Sequence, residues 1–257
     1  MNELIIHCED TSLPPAIVWK EVLMLSRKGI AIILGETEGI ADSTLKSAFS
    51  KLSKEEQERA QKMRREDQRI TFIINHALLR LMLSSVTGER PQNILIQQDP
   101  QGKPFAPEPF PHFNLSDSGT VFLQGYAPHP LGVDLELIDP DMDYEPIAGR
   151  FFTLREIRHI HRSGRPWFFK YWTRKEALLK ATGQGIIDSL HCIEVVTGIN
   201  LMGQRCRSHL PLPDRGYFSI QSFPISSFYV SAASAHKDRI EGICRLTRHE
   251  IEEILSE

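Results

Sequence analysis

At 257 residues, with 41% hydrophobic and 25% charged side chains, the chain has the composition of a folded globular protein and can build a sizeable core without disulfides or metal staples, which excludes a disordered protein. Its 30 basic and 33 acidic residues leave a formal charge of -3, so no global field draws it to nucleic acid or to an anionic membrane, and any phosphate binding has to be local. Cys8, Cys192, Cys206 and Cys244 stand far apart with no CxxC pair, which argues against a zinc site or a disulfide framework and suits a reducing cytoplasm.

The N-terminal residues carry no basic leader or signal-length apolar core, and no run of about 18 apolar residues follows, so the sequence predicts a cytoplasmic chain that is neither exported nor membrane-spanning. Residues 29–34 read as a buried strand ending at Gly35. Ser53 and Glu56 have the spacing of a capping box opening a solvated helix that runs to Arg69, followed by an apolar helix stopped near Gly88. A strand is expected at 93–97, then a loop rich in proline and glycine leading into the strand FNLS, then strands around 120–126 and 131–137 on either side of Pro128-His129-Pro130. Helical patterns cover 153–162 and 167–182, strands are expected near 192–197, 217–222 and 226–232, and RHEIEEILSE reads as a closing helix. No repeat is visible at the residue level. The length suggests two lobes, 1–127 and 128–257, around a shared cleft, with a monomer the economical assembly.

Three segments carry chemistry. In GVDLE, a strand would turn Asp134 and Glu136 to one face and Val133 and Leu135 to the other. Two carboxylates side by side invite a hard cation such as Mg²⁺, although acids at the rim of a strand would give the same pattern. In the aromatic-rich segment WFFKYWTRKEALLKATGQG, Trp172, Glu176 and Lys180 step by four along one helical face, with Gly183 and Gly185 as a stop. A surface ion pair is the simpler reading of Glu176 and Lys180; the aromatic company argues for burial, and buried charges need partners or a task. In GKPFAPEPFPHFNLSDSG, Lys103 precedes Ser116, Asp117 and Ser118, residues able to approach a phosphate, or simply to form an Asx-type turn.

Taken together, the blocks GKP with FNLSDSG, PLGVDLE, RFFTLREI and WTRKEALLKATGQG resemble the 4'-phosphopantetheinyl transferases, in particular the larger two-lobed type that activates peptide and polyketide synthetases. The resemblance covers roughly residues 60–190 and implies an α+β fold of two similar lobes related by pseudo-twofold symmetry. It also implies transfer of the 4'-phosphopantetheine arm of coenzyme A to a serine of an acyl or peptidyl carrier protein, with release of 3',5'-ADP. On that resemblance Asp134, Glu136 and Glu176 would bind Mg²⁺, Glu176 would activate the serine, and Lys180 would sit near the diphosphate. Lys103, Pro104, Ser116 and Asp117 would contact coenzyme A, as would Arg80, with Arg69 and His76 as further matches. The family has histidine where this chain has Asp117, which leaves open a coenzyme A-binding relative without transferase activity. A carrier is expected to be acidic, making Arg150, Arg155, Arg158, His161, Arg162 and Arg165 a candidate docking patch; an ordinary solvated helix face would look the same.

Overall fold

In the computed structural model, which describes residues 4–183, 188–201 and 216–256, β2 (Ile30–Glu36), β5 (His112–Ser118), β6 (Val121–Ala127) and β11 (Ile240–Leu246) form a sheet in the order β11-β2-β6-β5. A second sheet has the order β7-β10-β9-β1-β8, built from β1 (Leu4–Asp10), β7 (Leu131–Leu137), β8 (Gly198–Leu201), β9 (Gly216–Ile225) and β10 (Phe228–Ser234). Gln97–Gln98 and Pro104–Phe105, β3 and β4, make a small separate ribbon.

The sheets share a core. Ile30 and Ile32 of β2, Leu131, Val133 and Leu135 of β7, and Phe223, Val230 and Ala232 of β9 and β10 are buried in one cluster. Because strand side chains alternate, Ala31 and Ile33 turn to the opposite face of β2 and join a second core, so the unbroken apolar run of β2 reflects burial on both sides. Helices α2 (Asp42–Ser50), α4 (Glu66–Thr87) and α8 (Arg248–Ser256) contribute to that core together with residues of β5, β6 and β11. A third core joins α5 (Glu145–Phe151), α6 (Leu154–Ser163) and α7 (Pro166–Thr182) to the five-stranded sheet. A short helix, α1 (Val22–Leu25), leads into β2. The fold is the mixed, two-lobed α/β architecture that the resemblance implies.

The charged segment after Ser53 does not run unbroken into the apolar helix. Met63 is extended, with ψ 126°, so α3 (Lys54–Lys62) ends there and α4 starts at Glu66. Its capping box forms as the spacing predicts, with Ser53 accepting from the Glu56 amide and Glu56 from the Ser53 amide. By length and composition α4 could cross a bilayer, but 61% of its most apolar stretch is buried inside the fold.

The strand expected at 93–97 is reduced to Gln97 at the start of β3, and the one expected near 192–197 is absent among the described residues, for a common reason. Around 93–97 the carbonyls of Pro91 and Ile94 accept from Arg80. Around 192–197 the carbonyls of Ile193 and Val195 accept from Lys175 and Arg174, and the Val195 amide donates to Glu156. Buried side chains take the backbone groups that a ladder would otherwise use. The strands β1 and β11 and helix α2 form where no element was expected.

The division expected at 127/128 falls between β6 and β7, where the chain passes from one sheet to the other. The terminal strands cross it: β1 runs parallel to β9, and β11 runs parallel to β2. Each half nevertheless follows one plan, a strand, a set of helices and then an antiparallel hairpin whose second strand pairs with the first, as β2-β6-β5 and β7-β10-β9.

Gly132 sets the distance between β7 and α7. A Cβ at this position would lie 2.0 Å from the Ala177 carbonyl oxygen and 2.3 Å from the Ala181 nitrogen. Gly132→Ala must therefore push the helix outward, at a cost of about 1–3 kcal/mol. The thermal midpoint should fall by roughly 2–4 °C per kcal/mol; an unchanged midpoint in calorimetry would show that this contact does not set the spacing.

Candidate active site

β5 and β7 are the outer strands of their sheets, and they run beside each other. Alternate residues of β5 point at β7 and satisfy it with side chains instead of a backbone ladder. Asn114 Oδ1 accepts from the Val133 amide at 2.8 Å, Ser116 Oγ donates to Asp134 Oδ1 at 2.9 Å, and Ser118 Oγ donates to Glu136 Oε2 at 3.1 Å. The period of two in Asn114, Ser116 and Ser118 matches the period of two in Asp134 and Glu136.

Helix α7 supplies the third wall. Lys180 Nζ donates to Asp134 Oδ1 at 2.7 Å and to Ser116 Oγ at 2.8 Å. One turn earlier Glu176 faces the same space, and a turn before that comes Trp172, which packs on Phe151, Phe152 and Phe168. Leu115, Ser116, Asp117, Asp134, Glu136, Trp172, Glu176 and Lys180 together enclose a cleft of about 330 Å³. A larger groove of about 840 Å³, walled by α3, α4 and residues 92–98, adjoins it through Leu115 and Asp117.

The electrostatics of the cleft are those of an acidic site short of cations. Burial, then the charge of Asp134, pushes both Glu136 and Glu176 up to about 7. Burial also raises Asp134, although Lys180 and Ser116 offset part of that rise. Among the described residues Asp134 Oδ2 and Glu176 Oε1 are buried without a hydrogen-bond partner, a costly state for carboxylate oxygens. Such a donor set fits a hard divalent cation. It is not a finished cage: among the described residues no three His, Cys, Asp or Glu side chains already stand in the geometry of a metal site.

The residue that precedes Glu176 is held from behind. Lys175 is fully buried, 2.9 Å from Glu156, and also donates to the carbonyls of Phe151, Leu190 and Ile193. Glu156 in turn caps α6 through the Thr153 amide. With every donor placed, this pair fixes the rotation of α7 and so points Glu176 into the cleft.

Comparison with known proteins gives the family. A family model described as the 4'-phosphopantetheinyl transferase superfamily matches residues 130–207, and one described as 4'-phosphopantetheinyl transferase, N-terminal, matches residues 41–125. A protein of Synechocystis sp. assigned to the 4'-phosphopantetheinyl transferases is 32% identical over 173 residues, covering 64% of this chain and 68% of that protein. The chain belongs to the 4'-phosphopantetheinyl transferase superfamily. The transferase HetI of Nostoc sp. is 34% identical over 56% of this chain and 65% of its own length. Sfp of Bacillus subtilis is 25% identical over 79% of this chain and 91% of its own length.

Of the residues that the family resemblance selects, Asp134, Glu136, Glu176, Lys180, Ser116 and Asp117 share the one cleft. Asp117, at the family's histidine position, is exposed where cleft and groove adjoin. Pro104 lines the groove and not the cleft. Lys103 lines neither: its ammonium donates to the carbonyls of Leu131 and Ala181, and burial lowers it to about 8. Arg80 touches the groove wall but is spent on Glu56 and on the carbonyls of Pro91 and Ile94. His76 also binds Glu56, and Arg69 pairs with Glu66. Gly185 lies outside the described residues. The basic patch divides, since Arg165 turns inward onto the carbonyls of Asp139 and Met142 while Arg155, Arg158 and Arg162 line a surface groove with His159. Ser118, read from sequence as a residue able to approach a phosphate, is hydrogen-bonded to Glu136 instead; Asn114 and the Lys175–Glu156 pair were not singled out from sequence, and the alternation in FNLSDS was the available signal for Asn114.

Because Glu136 and Glu176 bind protons more tightly folded, at about 7, than at the ordinary 4.5, they favour the metal-free fold at low pH, and that contribution is lost as pH rises from about 4.5 through about 7. In chelator, the thermal midpoint of Glu176→Gln should fall less between pH 6 and pH 8 than that of the unaltered chain. Parallel declines would contradict the assignment.

Proposed function

We propose that the chain transfers the 4'-phosphopantetheine arm of coenzyme A to a serine hydroxyl of a carrier protein, with Asp134, Glu136 and Glu176 as ligands for Mg²⁺. The observation that carries this reading is the pair of buried carboxylate oxygens without a partner among the described residues, Asp134 Oδ2 and Glu176 Oε1, in a cleft that also holds Glu136 and Lys180. Family membership supports the reaction class.

In this reading coenzyme A lies along the seam, its diphosphate at the acidic cleft and its nucleotide end in the adjoining groove. Bound Mg²⁺ would offset the charge of the diphosphate oxygens and raise the electrophilicity of phosphorus. The carrier serine oxygen forms a bond to the phosphorus that bears pantetheine, and the bond from that phosphorus to the bridging oxygen breaks, releasing 3',5'-ADP. Glu176 takes the serine proton, directly or through a water. Its carboxyl, at about 7 in the metal-free cleft, titrates where a base exchanges protons near neutral pH. Lys180 steadies the departing phosphate, and Trp172 closes one side of the cleft against water.

Incubating the chain with coenzyme A, Mg²⁺ and an apo carrier should add the phosphopantetheine mass to the carrier. Glu176→Gln and Asp134→Ala should each lower the rate by about 10²-fold or more while circular dichroism stays unchanged. Full turnover by either variant would reject the roles assigned to these two carboxylates, and no mass gain with the unaltered chain would favour a coenzyme A-binding protein without transferase activity.

A further inference from the structure

The cleft is lined by four carboxylates, those of Asp117, Asp134, Glu136 and Glu176, and by one ammonium, that of Lys180, which forms an ion pair with Asp134. Lys180 Nζ, Ser116 Oγ and Asp134 Oδ1 form a closed triangle with sides of 2.7, 2.8 and 2.9 Å. Asp134 has 5% side-chain exposure and Lys180 has 27%, so the acid is fixed inside while the base keeps a path outward. An isolated buried carboxylate is expensive, and one cation at contact range relieves it.

The N-terminal half holds a contrasting arrangement. His76-Ala-Leu-Leu-Arg80 and Glu176-Ala-Leu-Leu-Lys180 stand at a constant offset of 100 residues, on the long helix of each half. Arg80 has 3% side-chain exposure and is tied to Glu56 and two carbonyls. Arginine's planar fork suits such a permanent brace, whereas lysine is a flexible point charge.

We propose that Lys180 is a resident cation: it neutralises Asp134 while the cleft lacks a divalent metal, is displaced from Asp134 when metal is bound, and is thereby released to meet the anionic substrate. This rests on the reading of the cleft as a divalent-cation site. Ser116, hydrogen-bonded to both groups, stays on Asp134 through the exchange. Lys180 therefore competes with metal for one carboxylate, and metal binding and release of the lysine toward phosphate become a single coupled event.

Mn²⁺ titration of the full chain without coenzyme A, followed by electron paramagnetic resonance at fixed pH, tests this. Lys180→Met should bind Mn²⁺ at least about tenfold more tightly than the unaltered chain, the order expected when a charge-assisted hydrogen bond no longer has to be broken. Lys180→Arg, which keeps the cation and adds a fork, should bind it more weakly, and this second variant decides the matter should the first fail to fold. Unchanged or weaker binding by Lys180→Met, or unchanged or tighter binding by Lys180→Arg, overturns the resident-cation role alone. If the unaltered chain binds no Mn²⁺, or if Asp134→Asn and Glu176→Gln bind it undiminished, the metal site itself falls and takes this proposal with it.

Discussion

Asp134 sits almost wholly out of water where two sheets meet, and its neighbours answer that burial. One hydroxyl comes from β5, one ammonium comes from α7, and the carboxylate itself belongs to β7. Three separate elements thus converge on a single oxygen atom. Charge inside a protein must be matched by partners held in place, so the packing that holds β5, β7 and α7 together is also what defines the cleft. Gly132 permits the close approach of α7 to β7, and the Lys175–Glu156 pair fixes how that helix is turned.

The same framework serves opposite purposes in the two halves. Capping-box glutamates stand at corresponding places, Glu56 after Ser53 and Glu156 after Thr153. Each reaches from a short helix to the long helix that follows, Glu56 to His76 and Arg80, Glu156 to Lys175. Burial works against ionisation of Glu56, but His76 and Arg80 outweigh it and hold that carboxyl at about 2. In the first half the polar groups are consumed by bracing and leave a passive wall for the groove. In the second the brace moves to Lys175, and the next residue is free to face the cleft. Leu34 and Glu36 of β2 correspond, at the same offset, to Asp134 and Glu136, and His76 to Glu176, so the first half lacks two of the three acids that the second brings to the cleft.

The order of blocks from GKP to WTRKEALLKATGQG was legible in the sequence because each is a local pattern with its own period. Strand alternation places Asp134 and Glu136 on one face, and a step of four places Trp172, Glu176 and Lys180 on another. Long-range matters were harder to read. Lys103 and Arg80 look like free cations in a linear sequence, and only the fold reveals the carbonyls that occupy them. Expected strands near 93–97 and 192–197 are reduced or absent for a related reason, since Arg80, Arg174 and Lys175 compete for their backbone groups. The internal repeat is hard to see in the sequence because its two copies share mainly apolar spacing, while the residues that differ, His76 against Glu176 and Arg80 against Lys180, are those that chemistry would emphasise.

The placement of β1 and β11 bears on how the chain comes together. Each sheet is finished by a strand from the opposite end of the described sequence, β1 joining the strands after residue 130 and β11 joining those before it. Parallel pairings of this kind span nearly the whole chain and close large loops, which makes them late events on entropic grounds. During synthesis the first half therefore waits, with the edge of β2 open, until β11 has left the ribosome. The two halves mature as one unit, and damage in β1 or β11 is felt in the sheet built mainly by the other half.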